Sequence, residues 1–367
     1  MLISTVSALA LAGSLFSTSA YADVIVGFIG PITGAVAAYG IQANNGVKVA
    51  VDEINKNGGI NGEKLVLKVF DDAADPKQGV SAANQLIGEG IQYVIGPVTS
   101  NTALPVSNML EENDVLMITP SSTTPELSSR GLWNVLRTIG RDDQQGDYAA
   151  DYYVRHLKDK RIAIIHDRAT YGKGLADAFK AALNKDGVNE VYYGNITPGE
   201  KDYSVMVSRL KQEKVDYVYF GGYHPEAGLL LKQMREQGVE APLIGGDGFN
   251  TSELWSIAGT AAEGTLFTNP VDVRNNPDAQ AAIKALKDQN IPPETFAIHG
   301  FAAVQVLVYG IEKAGSASDP EAVAKAIKSG EPIKTTLGDI TYGERGDITS
   351  KVFSMYKWHN GEIVSAE

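Results

Sequence analysis

The feature that most limits what this chain can fold into is a rhythm. From Asp23 onward, short apolar runs alternate with amphipathic segments. Val24 to Ile29, Leu65 to Phe70, Ile91 to Ile95 and Leu116 to Thr119 are apolar almost throughout. A strand with one wet face would alternate polar and apolar residues. A strand covered on both faces need not, and such strands belong to parallel sheets with helices packed on either side. The segments between them fit that role. "IQANNGVKVAVDEINKNGG" places Val47, Ala50, Val51 and Ile54 on one helical face and stops at Gly58-Gly59. Further helices are predicted from Pro76 and from about Asn101. The pattern specifies an α/β doubly wound domain.

"TIGRDDQQG", Thr138 to Gly146, reads as a polar break, after which the rhythm restarts. Strands are predicted at Arg161 to Ile165, Val191 to Tyr193, Tyr217 to Phe220, Leu243 to Ile244 and Thr265 to Thr268. Helices are predicted from Gly172, Tyr203 and Pro225. A second break, "TNPVDVRNNPDA", precedes helix-rich stretches at Asp278 to Asp288, Glu294 to Ala314 and Pro320 to Lys328. The tail "GDITSKVFSMYKWHNGEIVSAE" alternates like a strand pair. With 367 residues there is enough chain for about two domains. The prediction is two similar α/β domains joined by several crossings.

Composition removes several function classes. The net charge is −12 and the pI about 5.0, so nucleic acid, which wants a basic face, is not an expected partner. Without cysteine there is no disulfide, thiolate nucleophile or cysteine-bearing zinc site. "MLISTVSALALAGSLFSTSAYADV" has no charge before Asp23. Its apolar stretch Val6 to Phe16 suits a signal segment and is too short to span a bilayer. Ser19-Ala20-Tyr21-Ala22 predicts cleavage after Ala22, although the usual positive start is missing; a buried N-terminal helix is the alternative. No later stretch is expected to reach about 18 apolar residues. The exported chain is therefore expected to be a soluble, periplasmic monomer.

In open parallel sheets ligands bind beyond the carboxyl ends of the strands. Those ends carry "GPITGAVAAYG" with Tyr39, Val98-Thr99-Ser100 in "IGPVTSNTALP", and Ser121-Ser122-Thr123 in "LMITPSSTTPEL". In the second half they carry "HDRATYG" with Tyr171, "FGGYHPEAG" with Tyr223, and "IGGDGFN" with Asp247. Ser100 and Thr123 are predicted where helices begin, so their hydroxyls and the free N–H groups of a first turn make an anion site. No lysine or arginine stands near them in sequence, which suits one small carboxylate better than a polyphosphate. Asp247 between two glycines suits an ammonium. Hydroxyls on one side, an acid on the other and tyrosines around them match an amino acid.

Each residue alone has a plainer reading. Ser100 and Ser121 could be N-caps, Asp247 a turn residue, and each tyrosine packing; co-occurrence at successive strand ends is what favours a pocket. An enzyme, such as an amidase or dehydrogenase, would need a motif that is absent. There is no G-x-G-x-x-G between the first strand and its helix, no Walker lysine, no G-x-S-x-G and no H-E-x-x-H. The five histidines lack metal-ligand spacing, and His224 with Glu226 reads as a helix start. "DDAAD", Asp71 to Asp75, lacks the regular ligand spacing of a calcium loop. No catalytic residue, metal or cofactor is predicted.

Over essentially the whole length after Ala22, the chain resembles the periplasmic branched-chain amino-acid binding proteins, the type I solute receptors of ABC importers. The carriers are the strand-end motifs above together with "VDEINKNGGINGEKL", "DDAADPKQGVSAANQLI" and "GEKDYSVMVSRLKQEKVDYVYFGGYHPEAG". The resemblance implies two doubly wound, Rossmann-like lobes joined by three crossovers, residues 23–140 with 271–347 and 141–270 with 348–367. It implies that Ser100 and Thr123 hold a ligand carboxylate and the Ser121 carbonyl meets its ammonium. Val98, Thr99, Ser122 and Tyr39 would line the first lobe. Tyr171 and Tyr223 would close from the second, Asp247 would take the ammonium, and Phe296 would pack on the side chain. Membrane permease subunits are the implied partner, and no catalysis is implied. The sequence departs from the leucine/isoleucine/valine receptors at Asp247, where they carry glutamate; relatives with aspartate resemble γ-aminobutyrate and proline binders. Ala74 and Thr99 replace a disulfide pair found in some relatives, forgoing roughly 2–4 kcal/mol of constraint. Ser121 replaces a frequent alanine. A related fold serves cytoplasmic amide sensors, which the signal segment disfavours.

Overall fold

The computed structural model describes residues 23–350 and 352–367, so the predicted signal segment lies outside the described residues. Its first sheet has five parallel strands: β1 (Val24–Gly30), β2 (Leu65–Asp71), β3 (Tyr93–Ile95), β4 (Leu116–Thr119) and β5 (Val135–Arg137), in the order β2-β1-β3-β4-β5. Helices α1 (Ala37–Lys56), α2 (Pro76–Gly88), α3 (Ser100–Glu111) and the single turn α4 (Glu126–Ser129) connect them.

The period of two along each strand explains the layers. Val26, Phe28, Tyr93, Ile95, Leu116 and Ile118 face one core with α1. Ile29, Val94, Met117 and Val135 face the other, with Ala83 and Leu86 of α2 and Val106 and Leu110 of α3. Both faces are dry, as unbroken apolar strands require.

The second sheet has seven strands in the order β14-β13-β10-β9-β8-β6-β7. They are β6 (Ile162–His166), β7 (Tyr192–Asn195), β8 (Tyr217–Gly221), β9 (Leu243–Gly245), β10 (Leu266–Pro270), β13 (Phe353–His359) and β14 (Glu362–Ser365). The first five run parallel; β13 and β14 add an antiparallel hairpin, as the alternating tail predicts. Helices α5 (Asp142–His156) and α6 (Thr170–Lys185) cover one face, and α7 (Ser204–Gln212), α8 (His224–Glu236) and α9 (Ser252–Ala258) the other. The chain then returns. Helices α10 (Gln280–Asp288), α11 (Thr295–Ala314) and α12 (Pro320–Ile327), with the small hairpin β11 (Ile333–Thr335) and β12 (Gly338–Ile340), join the α1 face of the first sheet. Two doubly wound lobes are the architecture the alternation predicts, and three crossings between them are what the resemblance implies.

Two readings are corrected. The polar stretch after Thr138 is a break only to Arg141; Asp142 opens the 15-residue helix α5, its two aspartates lying in the first turn where the helix dipole favours acids. The apolar-span reading also fails, since α11 is 20 residues long and apolar enough to cross a membrane. It is the core helix of the first lobe, packed on α1, with 78% of its apolar window buried. Gly46 explains that close fit: a Cβ there would come within 1.8 Å of the Ala297 carbonyl.

Candidate functional site

The carboxyl ends of both sheets face each other, and a cavity of about 20 Å³ lies between them. Its lining includes Tyr39, Val98, Thr99, Ser100, Ser121, Tyr171, Tyr223, Asp247 and Phe296, nine residues named from sequence, with Gly248 added. Ser122 and Thr123 stand just outside this lining, both buried.

The first-lobe wall is built of donors. Thr99 holds the N-cap position of α3 and Ser100 is its first helical residue, so Ser100 is not the cap. Ser121 caps nothing either; its hydroxyl donates to the Val98 carbonyl at 2.7 Å. Ser100 Oγ accepts from Ser122 Oγ at 3.2 Å and from the Thr124 N–H at 3.4 Å. Its own hydrogen is therefore left to donate. Thr123 does not begin a helix; it lies in the loop before α4, and its buried hydroxyl has no partner among the described residues.

The second-lobe wall is built around one acid. Asp247 opens the 3₁₀ turn Asp247–Phe249 and is 3% exposed. Its carboxylate accepts from the Tyr171 hydroxyl at 2.7 Å and from Gln145 Nε2 at 3.1 Å. Gln145 Oε1 in turn accepts from the Asp247 N–H at 3.2 Å and from the Thr268 hydroxyl at 2.6 Å, which fixes the amide's orientation. Burial pushes the Asp247 carboxyl up to about 6, against the hydrogen bonds from Tyr171 and Gln145 that favour its ionised form. A desolvated carboxylate held by only neutral donors is a group that a cation stabilises. Asp142 lies behind it, fully buried, its Oδ2 without a partner among the described residues; burial first, then the Asp247 charge, raises its carboxyl well above the ordinary range.

Tyrosines connect the walls. Tyr171 and Tyr223 stack at 4.9 Å between centroids, and Tyr39 reaches Tyr223 at 5.6 Å and the edge of Phe296 at 5.6 Å. The Tyr39 hydroxyl crosses between lobes, 2.7 Å from both the Gly248 carbonyl and His224 Nδ1. Asn250 Nδ2 makes a second crossing to Thr295 Oγ1 at 2.8 Å. The lobes are therefore closed on the pocket.

Sequence reasoning missed Gln145, Asp142 and Gly248, and it read His224 as a helix start only. His224 does begin α8, yet its two ring nitrogens contact Tyr39 and Glu253. The absence of a nearby arginine is also corrected. Arg137, contributed by β5, is wholly buried behind Ser122 and Thr124. Spacing in sequence hid it because neighbouring strands of a parallel sheet are far apart along the chain.

Two lobes that meet across a buried pocket at their strand ends, donors on one wall and an acid on the other, have the architecture of a two-lobed ligand receptor. The chain belongs to the periplasmic binding protein family, whose model matches residues 23–362. It is 57% identical, over the full length of both chains, to the Leu/Ile/Val-binding protein BraC3 of Rhizobium johnstonii. It is 53% identical to Leu/Ile/Val-binding protein homolog 3 of Brucella melitensis, again over all of both chains. Among solved structures, a leucine binding protein from Thermotoga maritima superimposes with a TM-score of 0.87 at 28% identity, covering 94% of this chain and 98% of that one. A substrate-binding protein of Desulfitobacterium hafniense, solved with leucine, gives 0.78 at 26% identity over 94% and 99%.

Proposed function

We propose that this chain is an exported receptor for a small aliphatic amino acid of the leucine, isoleucine and valine class, which it delivers to the permease of an ABC importer. The observation that carries the reading is Asp247, buried and held by neutral donors, Tyr171 and Gln145, opposite the free donors of Ser100 and Thr123. A zwitterion's ammonium completes the acidic second-lobe wall and its carboxylate the donor wall of the first lobe. Val98, Tyr39, Tyr223 and Phe296 offer the apolar surface for an aliphatic side chain, and the names of the relatives agree.

Mechanism follows from the two-sided grip. A ligand touching both lobes favours the closed form by its differential affinity for it. The pocket is shut in by hydrogen bonds that cross from lobe to lobe, Tyr39 to Gly248 and Asn250 to Thr295, so binding requires the lobes to part and reclose. Residues 138–141, 268–271 and 346–349 on the three crossings are the hinge in this reading. The segment ending at Ala22 is removed on export, and the closed form docks on the permease as a monomer. The reaction is transport, with no chemical step.

Isothermal calorimetry of residues 23–367 against leucine, isoleucine, valine, proline and γ-aminobutyrate tests the reading. Leucine, isoleucine or valine is expected to bind most tightly. Preference for γ-aminobutyrate or proline would keep the receptor and change its ligand; no binding of any amino acid would refute both.

A further inference from the structure

We propose that Arg137, without touching the ligand, gives the donor wall its preference for a carboxylate, and that Asp347 on the third crossing tempers that preference. The inference rests on the amino-acid reading above. Arg137 ends β5 with no exposed surface. Its Nη1 donates to the Ser122 carbonyl at 3.0 Å, and its Nη2 to the Thr124 carbonyl and to Ser128 Oγ, both at 3.1 Å. A trans peptide is planar, with C=O and N–H pointing opposite ways. Drawing the Ser122 carbonyl onto the guanidinium therefore turns the Thr123 N–H away from Arg137. That N–H and the Thr123 hydroxyl have no acceptor among the described residues. With the free hydrogen of Ser100, they are the donors left for a guest.

The guanidinium does more than aim peptides. Buried, its charge is poorly screened and is felt by an anion on the far side of one peptide layer. Its countercharge is Asp347, whose Oδ1 lies 2.8 Å from Arg137 Nε, while Oδ2 accepts from Ser128 Oγ at 2.9 Å and Arg141 Nη1 at 3.0 Å. Arg141 also pairs with Asp143 at 2.6 Å. Two arginines and two aspartates make the cluster neutral overall, and two of its members, Arg141 and Asp347, lie on crossings. Lysine in place of Arg137 keeps the charge but loses the fork that holds two carbonyls at once.

Leucine and leucinamide share side chain and ammonium but differ in the carboxylate, so their relative affinity reads the effect. Both are titrated into wild type, Arg137→Met, Arg137→Lys and Asp347→Asn, leucinamide by displacement of leucine, with melting curves alongside. Arg137→Met is expected to weaken leucine by about tenfold or more, the size of a lost charge-assisted interaction, and leucinamide far less. Arg137→Lys restores part of the preference. Asp347→Asn, which leaves the cluster with an unmatched positive charge, raises the preference for leucine above that of wild type. Equal weakening of both ligands in the Arg137 variants, or an unchanged or lower preference in Asp347→Asn, overturns the proposal and leaves Arg137 a structural brace. If Arg137→Met does not fold, Arg137→Lys and Asp347→Asn still decide by the direction of the preference. A wild type that binds no amino acid would instead refute the underlying reading.

Discussion

Replacing Asp247 by asparagine should make the ligand-free protein more stable and a worse receptor, and both effects can be sized. Asparagine keeps an oxygen for Tyr171 and Gln145, so the geometry around the site survives. The rise of the carboxyl from 3.8 to about 6 on burial corresponds to roughly 3 kcal/mol of differential interaction. Because the folded value lies above the unfolded one, the folded state holds the proton more tightly. The penalty is therefore absent below about pH 4, develops between pH 4 and 6, and is complete at neutral pH. Asp247→Asn removes it, so the melting temperature without ligand at pH 7.5 should rise by several degrees and at pH 4 should not. Binding loses a charge-assisted hydrogen bond to a desolvated ammonium, about 1.5–3 kcal/mol, or about 10- to 150-fold in leucine affinity. Calorimetry and melting curves of the same preparation give both numbers. Leucine affinity equal to wild type would show that Asp247 is only a turn residue. An unchanged melting temperature at pH 7.5 would show that its carboxylate is not strained by burial.

Leucine affinity should also fall on acidification through about pH 6, by about tenfold per pH unit below that value, because the ammonium must displace a proton from Asp247; titration in matched buffers from pH 5 to 8 checks the slope, and a flat profile contradicts it. Ser100→Ala should weaken leucine severalfold with little change in melting temperature, since Ser100 is not the cap of α3. A lower melting temperature with affinity unchanged would restore the plain structural role. Tyr39→Phe removes the hydroxyl that bridges to Gly248 and His224, worth about 1 kcal/mol in closure. Its effect should appear as a roughly fivefold faster dissociation of leucine in stopped flow. An unaltered dissociation rate would mean that this crossing contributes nothing to the closed state.

The architecture was legible because parallel strands buried on both faces leave apolar runs such as Val24 to Ile29, and because helices between them declare a 3.6 period. The pocket was legible because ligands lie beyond strand ends, which placed Tyr39, Ser100, Tyr171 and Asp247 without any contact being known. What escaped detection was polar and buried. β5 is three residues long and ends in an arginine, so Val135 to Arg137 carries no strand signature. The first turn of α5 reads as solvated loop, yet Asp142 and Gln145 are wholly buried, with Gln145 bonded to Asp247. Hydropathy assigns such residues to water, and only the pairing of segments distant in sequence shows what satisfies them. His224 fails the same way: its start-of-helix role is local, but its contact with Tyr39 spans 185 positions.

The most direct test is a crystal structure of residues 23–367 with leucine bound. The account predicts the ammonium about 3 Å from the Asp247 carboxylate, and the carboxylate on the Ser100 hydroxyl and the Thr123 N–H. Leucine bound in the reverse orientation, or seated on one lobe with Asp247 still bonded only to Tyr171 and Gln145, would contradict it.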